Sequence, residues 1–198
     1  MKIYKYILLS FLGVGTLTSC EKYLDHAPDM RTKIDNVEKV AQLVGSAYPR
    51  YNYLAMSESY SDNVMDKGPA IGHIDDPYVS FYMWEDVEGS GNNTPTQYWN
   101  GVYEGIAAAN QALEAIADNN FGAEANAYKG EALVARAYGH FMLSVFFAKA
   151  YNIAGDNSSP GIPYVDTPEK VALKSYDRET VKDTYDKIRK DLEEGLPL

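Results

Sequence analysis

Few residues in this chain are spaced for catalysis. Glu85, Asp86 and Glu88 lie close together and in principle offer the carboxylate pair of glycoside hydrolysis. They sit in a polar, turn-rich stretch, where neighbouring acids ordinarily form a solvated face. Gly89-Ser90-Gly91 sets a serine between glycines but lacks the spacing of a nucleophile elbow. No glycine run matches a phosphate-cradling loop. His26, His73 and His140 fall on different elements without ligand spacing, so no metal site is expected. His140, inside a helical run, reads as a core histidine with satisfied hydrogen bonds. Asp62-Asn63 with Asp66-Lys67-Gly68 is acidic and ends in glycine, but misses the calcium-loop pattern. The expectation is a protein that performs no catalysis and uses no cofactor and no metal.

The chemistry that remains is aromatic. Tyrosine outnumbers phenylalanine 17 to 6, which suits either surfaces that are apolar in body and hydrogen-bonding at the tip or a helical core that uses tyrosine for phenylalanine. From Tyr51 to Gln97 there is no sustained period and many turn residues, yet the stretch holds Tyr51, Tyr53, Tyr60, Tyr78, Phe81, Tyr82 and Trp84. A long aromatic loop in a compact domain is more often functional than ornamental. Tyr78 to Trp84 is expected as a short strand, on which Tyr82 and Trp84 share a face. Asn92 and Asn93 add amide donors and acceptors suited to sugar hydroxyls. Tyr78, Tyr82, Trp84, Asn92 and Asn93 are therefore the candidate ligand-binding residues, with Trp84 as stacking platform. The alternative is that Trp84 pins the loop onto the helical core, tryptophan being highly buried on average.

The elements that must position this loop are helical. Gly130 to Tyr151 is apolar on nearly every side, with Ala135, Tyr138, Met142, Val145 and Phe146 on one face and Val134, Ala137, Phe141 and Ala148 on the other. Such a helix must be buried or cross a membrane. Glu131, Arg136, His140 and Lys149 argue against a span, so a central helix with Phe141 buried is expected. A first helix is expected from the N-cap Asp35, with Glu38 three residues on, until Pro49 stops it. Thr94-Pro95-Thr96-Gln97 opens the next helix as a capping box with proline at the first position. Trp99, Val102, Tyr103, Ile106, Asn110, Leu113 and Ala117 line its buried face, and Gly122 ends it. Asn110 is read as a core amide bonded to nearby backbone. The last helix is expected near Asp177, striped by Val181, Thr184, Tyr185, Ile188 and Leu192, and closed by Gly195 and Pro197. Helices in pairs point to an all-α repeat architecture, although the tetratricopeptide pattern fits Trp99 and fails at Tyr103 and Ile106.

The chain has 198 residues and a net charge of −10. An acidic protein is a poor ligand for nucleic acid and is repelled by anionic lipid. Lys2 and Lys5 precede the apolar run Tyr6 to Val14, too short to span a bilayer, and Leu17-Thr18-Ser19-Cys20 follows. This is a signal-peptide pattern, and its end resembles the lipobox of bacterial lipoproteins, with Cys20 as the acylated first residue. Removal of residues 1–19 with Lys2 and Lys5 takes the charge to −12. The expected organisation is a signal peptide over 1–19, an extended tether over 20–34 and a helical domain over 35–198.

Several segments together resemble the SusD/RagB family of outer-membrane nutrient-binding lipoproteins. They are Ser19-Cys20-Glu21-Lys22-Tyr23-Leu24-Asp25 with Pro28, Gly45-Ser46-Ala47-Tyr48, Glu58 with Asp62-Asn63, and Trp99 to Ile116 with Asn110. Gly130-Glu131-Ala132 through Arg136-Ala137-Tyr138 to Phe141, Gly161-Ile162-Pro163, and Arg178 through Asp191-Leu192 to Pro197 complete the set. The resemblance implies tetratricopeptide-like helix pairs carrying a long aromatic-rich loop insertion. It implies an outward-facing lipid anchor in the outer membrane, no enzyme activity, a glycan ligand, and a SusC-like TonB-dependent transporter as partner. Members are much longer, and part of their glycan-binding surface lies in the half that would follow Leu198, so the chain is expected to be an N-terminal portion. The rival readings are a helical scaffold that binds only protein partners and a surface glycosidase.

Overall fold

Thr94 starts the longest helix as its sequence demands. In a computed structural model, which describes residues 33–69, 76–171 and 174–198, the Thr94 side chain accepts the Gln97 N–H and Pro95 is the first helical residue. The Gln97 side chain reaches back one residue further than a capping box requires, accepting the Asn93 N–H at 2.8 Å. In chain order the helices are α1 (Val37–Val44), α2 (Leu54–Ser59), α3 (Tyr78–Tyr82), α4 (Pro95–Asp118), α5 (Asn126–Phe147) and α6 (Val181–Gly195). A 3₁₀ turn, Gly122–Ala125, joins α4 to α5. The described residues contain no strand, only an isolated bridge between Pro160 and Thr180. All the helices belong to the unit Ile34–Leu198. The signal peptide, Cys20, nearly all of the expected tether, His26 and His73 lie outside the described residues.

Helix ends depart from their expected places for local reasons. Asn36, not Asp35, caps α1, accepting the Lys39 N–H at 2.9 Å. Asp35 instead pairs with Lys39 Nζ at 2.8 Å. The helix stops at Val44, five residues before Pro49, because Gly45 begins a turn whose N–H groups are taken by Ala41 and Leu43. Helix α4 ends at Asp118, and Gly122, with φ +69°, opens the 3₁₀ turn instead of closing α4. Helix α5 ends at Phe147, where Arg178 Nη2 donates to the freed Phe147 carbonyl at 2.8 Å. Thr180 and Asp183 form a capping box that starts α6 three residues beyond the expected Asp177.

Consecutive helices run antiparallel. Tyr98 faces Phe146 and Asn110 faces Arg136 across α4 and α5, while Arg136 faces Asp191 and Phe141 faces Tyr185 across α5 and α6. Small residues let the backbones close up. A Cβ at Gly130 would lie 2.7 Å from the Gly195 carbonyl, and one at Gly195 would lie 2.9 Å from the Gly130 carbonyl. Val40 and Val44 of α1 pack with Ala109, Ala112, Ala132 and Ala135. A second cluster joins Phe81, Tyr98, Val102, Ile106, Leu143 and Ile162. The all-α, tetratricopeptide-like architecture of paired helices is therefore present.

The central helix is less apolar inward than its sequence implied. Its buried side includes Arg136, His140 and Ser144, while Tyr138, Phe141 and Val145 face outward. Phe141 is 41% exposed, which corrects the expectation that it is buried. Its ring meets Tyr185 edge-on at 6.2 Å instead of filling the core. Arg136, His140 and Ser144 sit among buried Ala132, Leu133, Ala135, Ala137, Met142 and Leu143 because each finds a hydrogen-bond partner there, Ser144 Oγ donating to the His140 carbonyl at 2.9 Å. Phe141→Ala is accordingly expected to cost about 1 kcal/mol, against ~3–5 for a buried phenylalanine, and thermal melts of both forms would measure it.

Candidate ligand-binding site

Tyr78 to Tyr82 form helix α3 and not a strand. A lone strand here would leave its backbone groups without a neighbour, whereas one helical turn satisfies them internally. Phe81 is its anchor, fully buried, with the Tyr60 ring tilted against it at 60° and 5.1 Å between centroids. Tyr78 and Tyr82 therefore share a face by helical spacing, and Tyr82 does not pair with Trp84 as it would on a strand.

Trp84 occupies an unusual place. The Glu85 N–H returns to the Ser80 carbonyl at 2.9 Å and the Trp84 N–H to the Phe81 carbonyl at 3.1 Å. That is the Schellman closure of a helix, whose left-handed residue is ordinarily glycine. Here it is Trp84, with φ +58°. An L-residue in that conformation costs ~1–2 kcal/mol. The ring is 75% exposed and touches Tyr60 at 4.9 Å, so it does not pin the loop into the core. Tyr60, at the end of α2, joins the platform. The sequence offered only its membership of the aromatic stretch as a signal.

The two asparagines fasten the loop to the start of α4. Asn93 Nδ2 donates to the Tyr78 hydroxyl at 2.7 Å, and Gln97 Nε2 donates to Asn92 Oδ1 at 3.0 Å. The Tyr82 hydroxyl accepts the Asp66 N–H at 3.4 Å. Among the described residues Asn92 Nδ2 and Asn93 Oδ1 have no partner. The structure thus links Tyr78 with Asn93 and Trp84 with Tyr60, around α3 and the α4 start. Glu85, Asp86 and Glu88 are exposed on the same loop. Among the described residues no group of His, Cys, Asp or Glu could hold a metal, and no helix is long and apolar enough to cross a membrane.

The polar residues of α4, α5 and α6 do something else. Arg136 makes a two-pronged contact with Asp191, Nε to Oδ2 and Nη2 to Oδ1, both at 2.7 Å. Its Nη1 donates to Asn110 Oδ1 at 2.9 Å and to the Asp166 carbonyl at 3.0 Å. Asn110 Nδ2 donates to the Val165 carbonyl at 2.9 Å, the backbone bond expected of it. The Tyr164 hydroxyl donates to Asp191 at 2.6 Å. His140 Nδ1 meets the Arg136 carbonyl at 2.9 Å, and its Nε2 accepts the Val165 N–H at 3.0 Å. The ring must therefore carry its proton on Nδ1 and stay neutral. Burial pushes its pKa down to about 3, with Arg136 adding repulsion and the Arg136 carbonyl opposing. Burial, then Asp191, pushes the Tyr164 hydroxyl well above its ordinary range. This set clamps the extended segment 160–166 across three helices and turns no catalytic group toward solvent.

The described residues thus form paired helices that carry an exposed aromatic loop. The chain belongs to the SusD-like family, whose model, described as starch-binding and associating with the outer membrane, matches residues 22–198. The crystal structure of a SusD superfamily protein from Bacteroides thetaiotaomicron VPI-5482 is similar, with a TM-score of 0.60 and 22% identity. The likeness covers 82% of this chain and 37% of that one, so the chain spans little more than a third of that structure's length. No curated protein sequence matches the chain.

Proposed function

We propose that this chain is the N-terminal portion of a non-catalytic cell-surface lipoprotein. It captures oligosaccharide or polysaccharide and delivers it to a SusC-like, TonB-dependent transporter in the outer membrane. The family's description supports the ligand class and the location. The observation that carries the reading is Trp84. A glycine there would close α3 with less strain, yet an indole stands at the position, three-quarters exposed. Such a ring contributes little to the fold and is placed to meet something outside it. An aromatic face stacks on the apolar face of a sugar ring, and Asn92 Nδ2 and Asn93 Oδ1 are near in sequence to bond its hydroxyls.

Trp84→Gly separates binding from folding. The relief of backbone strain and the lost Tyr60 contact are each ~1 kcal/mol, so the melting midpoint is expected to move little. Retardation in native gels containing soluble starch, inulin, xylan or galactomannan is expected to weaken several-fold for whichever polymer is bound. Unchanged retardation would remove Trp84 from the site.

The anchor is tested separately. Cys20→Ala is expected to release the protein from the outer-membrane fraction into the soluble one, because several acyl chains at ~0.8 kcal/mol per methylene hold it there. A variant that stays wholly in the membrane would exclude acylation as the attachment.

A further inference from the structure

A cleft of about 680 Å³ runs along the side of α4, away from the Trp84 loop. Asn100, Glu104 and Gln111 project into it from one stripe of the helix, with Ala107 between them leaving clearance. All three polar side chains are exposed, and none is used in a hydrogen bond or ion pair among the described residues. The facing wall is made by Pro163, Val165, Thr167, Pro168, Glu169 and Tyr176. Trp99 and Tyr103, half-buried with ring centroids 5.1 Å apart, supply an aromatic wall.

The Tyr176 hydroxyl is buried. The Glu169 carboxylate lies beside it and acts on it both as a hydrogen-bond acceptor and as a charge. Burial first, and then that carboxylate, push the hydroxyl up to about 12, so it remains a donor at neutral pH. A phenol, two acceptor carboxylates, two amides and aromatic rings converge on one concavity.

The chemistry of the lining selects the ligand. Sugar hydroxyls both donate and accept, which matches carboxylates that accept, amides that do both and a phenol that donates. The volume falls within the ~300–1,000 Å³ of small-ligand sites. An anion would face Glu104 and Glu169. A cation would find the Tyr176 ring already covered, since Lys174 Nζ lies 4.6 Å from its centroid. We propose that this cleft is a second site for neutral oligosaccharide, independent of the Trp84 loop. The inference rests on the glycan reading above. Glu104 lies about 16 Å of helical rise beyond Asn93. Two sites on one chain hold a polymer more tightly than either holds a short oligomer.

The test uses the full chain and the same four polysaccharides. Trp84 and Trp99 are its only two tryptophans, so Trp84→Gly leaves Trp99 as the sole indole reporter. That variant is expected to retain residual retardation, and an oligosaccharide of the retained polymer is expected to change Trp99 fluorescence. Adding Glu104→Ala with Gln111→Ala is expected to weaken the residual binding about tenfold, through two lost hydrogen bonds. The melting midpoint is expected to stay unchanged, since both side chains are exposed. If the cleft substitutions change nothing while Trp84→Gly abolishes binding, the cleft is overturned and the glycan reading stands. If no polymer retards the unsubstituted chain, the glycan reading fails and the cleft proposal fails with it.

Discussion

Arg136→Ala is expected to lower the unfolding free energy by about 3–5 kcal/mol, the largest effect of any single truncation considered for this chain. The guanidinium and the Asp191 carboxylate are both nearly buried, at 10% and 7% side-chain exposure. Removing one leaves the other charged, desolvated and unpaired. The loss also strips a donor from Asn110 Oδ1 and the Asp166 carbonyl. Arg136→Lys is expected to recover only part, because one ammonium cannot reproduce the two-pronged contact and still reach Asn110. Replacing both partners, as Arg136→Met with Asp191→Leu, is expected to cost clearly less than the sum of the single changes. Urea midpoints would decide it. A single-variant loss below about 1 kcal/mol would mean that water reaches the pair.

The second large effect is on pH dependence. His140 ordinarily takes a proton near 6.5, and its pKa in the folded chain is about 3. The unfolded chain therefore binds the proton first as pH falls. The stability associated with a neutral His140 is fully present above about pH 6.5 and is lost progressively toward pH 3. One proton gives a slope of up to ~1.4 kcal/mol per pH unit, so about 2 kcal/mol should disappear between pH 6.5 and 5. Among the described residues His140 is the only histidine. Physically, a proton on Nε2 would eject the Val165 N–H and set a second cation beside Arg136. His140→Gln is expected to flatten the dependence of the melting midpoint on pH in that window, although it also lowers the midpoint itself. A native chain whose midpoint is level from pH 7 to 5 would show that the imidazole can be protonated in place.

The segments that carry the family resemblance take on a physical meaning here. Asn110, Arg136 and Asp191 come from three separate helices and meet at one buried point. Gly161-Ile162-Pro163 leads into the segment they clamp, with Ile162 fully buried and the Pro163 carbonyl accepting the Tyr103 hydroxyl at 2.7 Å. These residues hold the helix pairs together. The candidate ligand surfaces draw on exposed side chains outside this cluster, such as Trp84, Glu104 and Gln111.

What the sequence determined by itself was what a few neighbouring residues can enforce. Thr94 with Pro95 starts α4 because a side-chain oxygen and a missing N–H act within one turn. The pairing of long helices followed from the 3.6-residue period of α4 and α6. The burial of Asn110 and His140 was readable because each stood on an otherwise apolar run. Tertiary structure decided matters that depend on distant partners. Phe141 faces outward and Arg136 inward because Asp191, more than fifty residues away along the chain, supplies a matched carboxylate. Periodicity assigns a face to hydrophobicity and cannot see that match. Tyr78 to Tyr82 became a helix because among the described residues no neighbouring strand exists to pair with them. Trp84 stayed outside because Phe81 had already filled the core position, which left the indole on the left-handed residue that closes the turn.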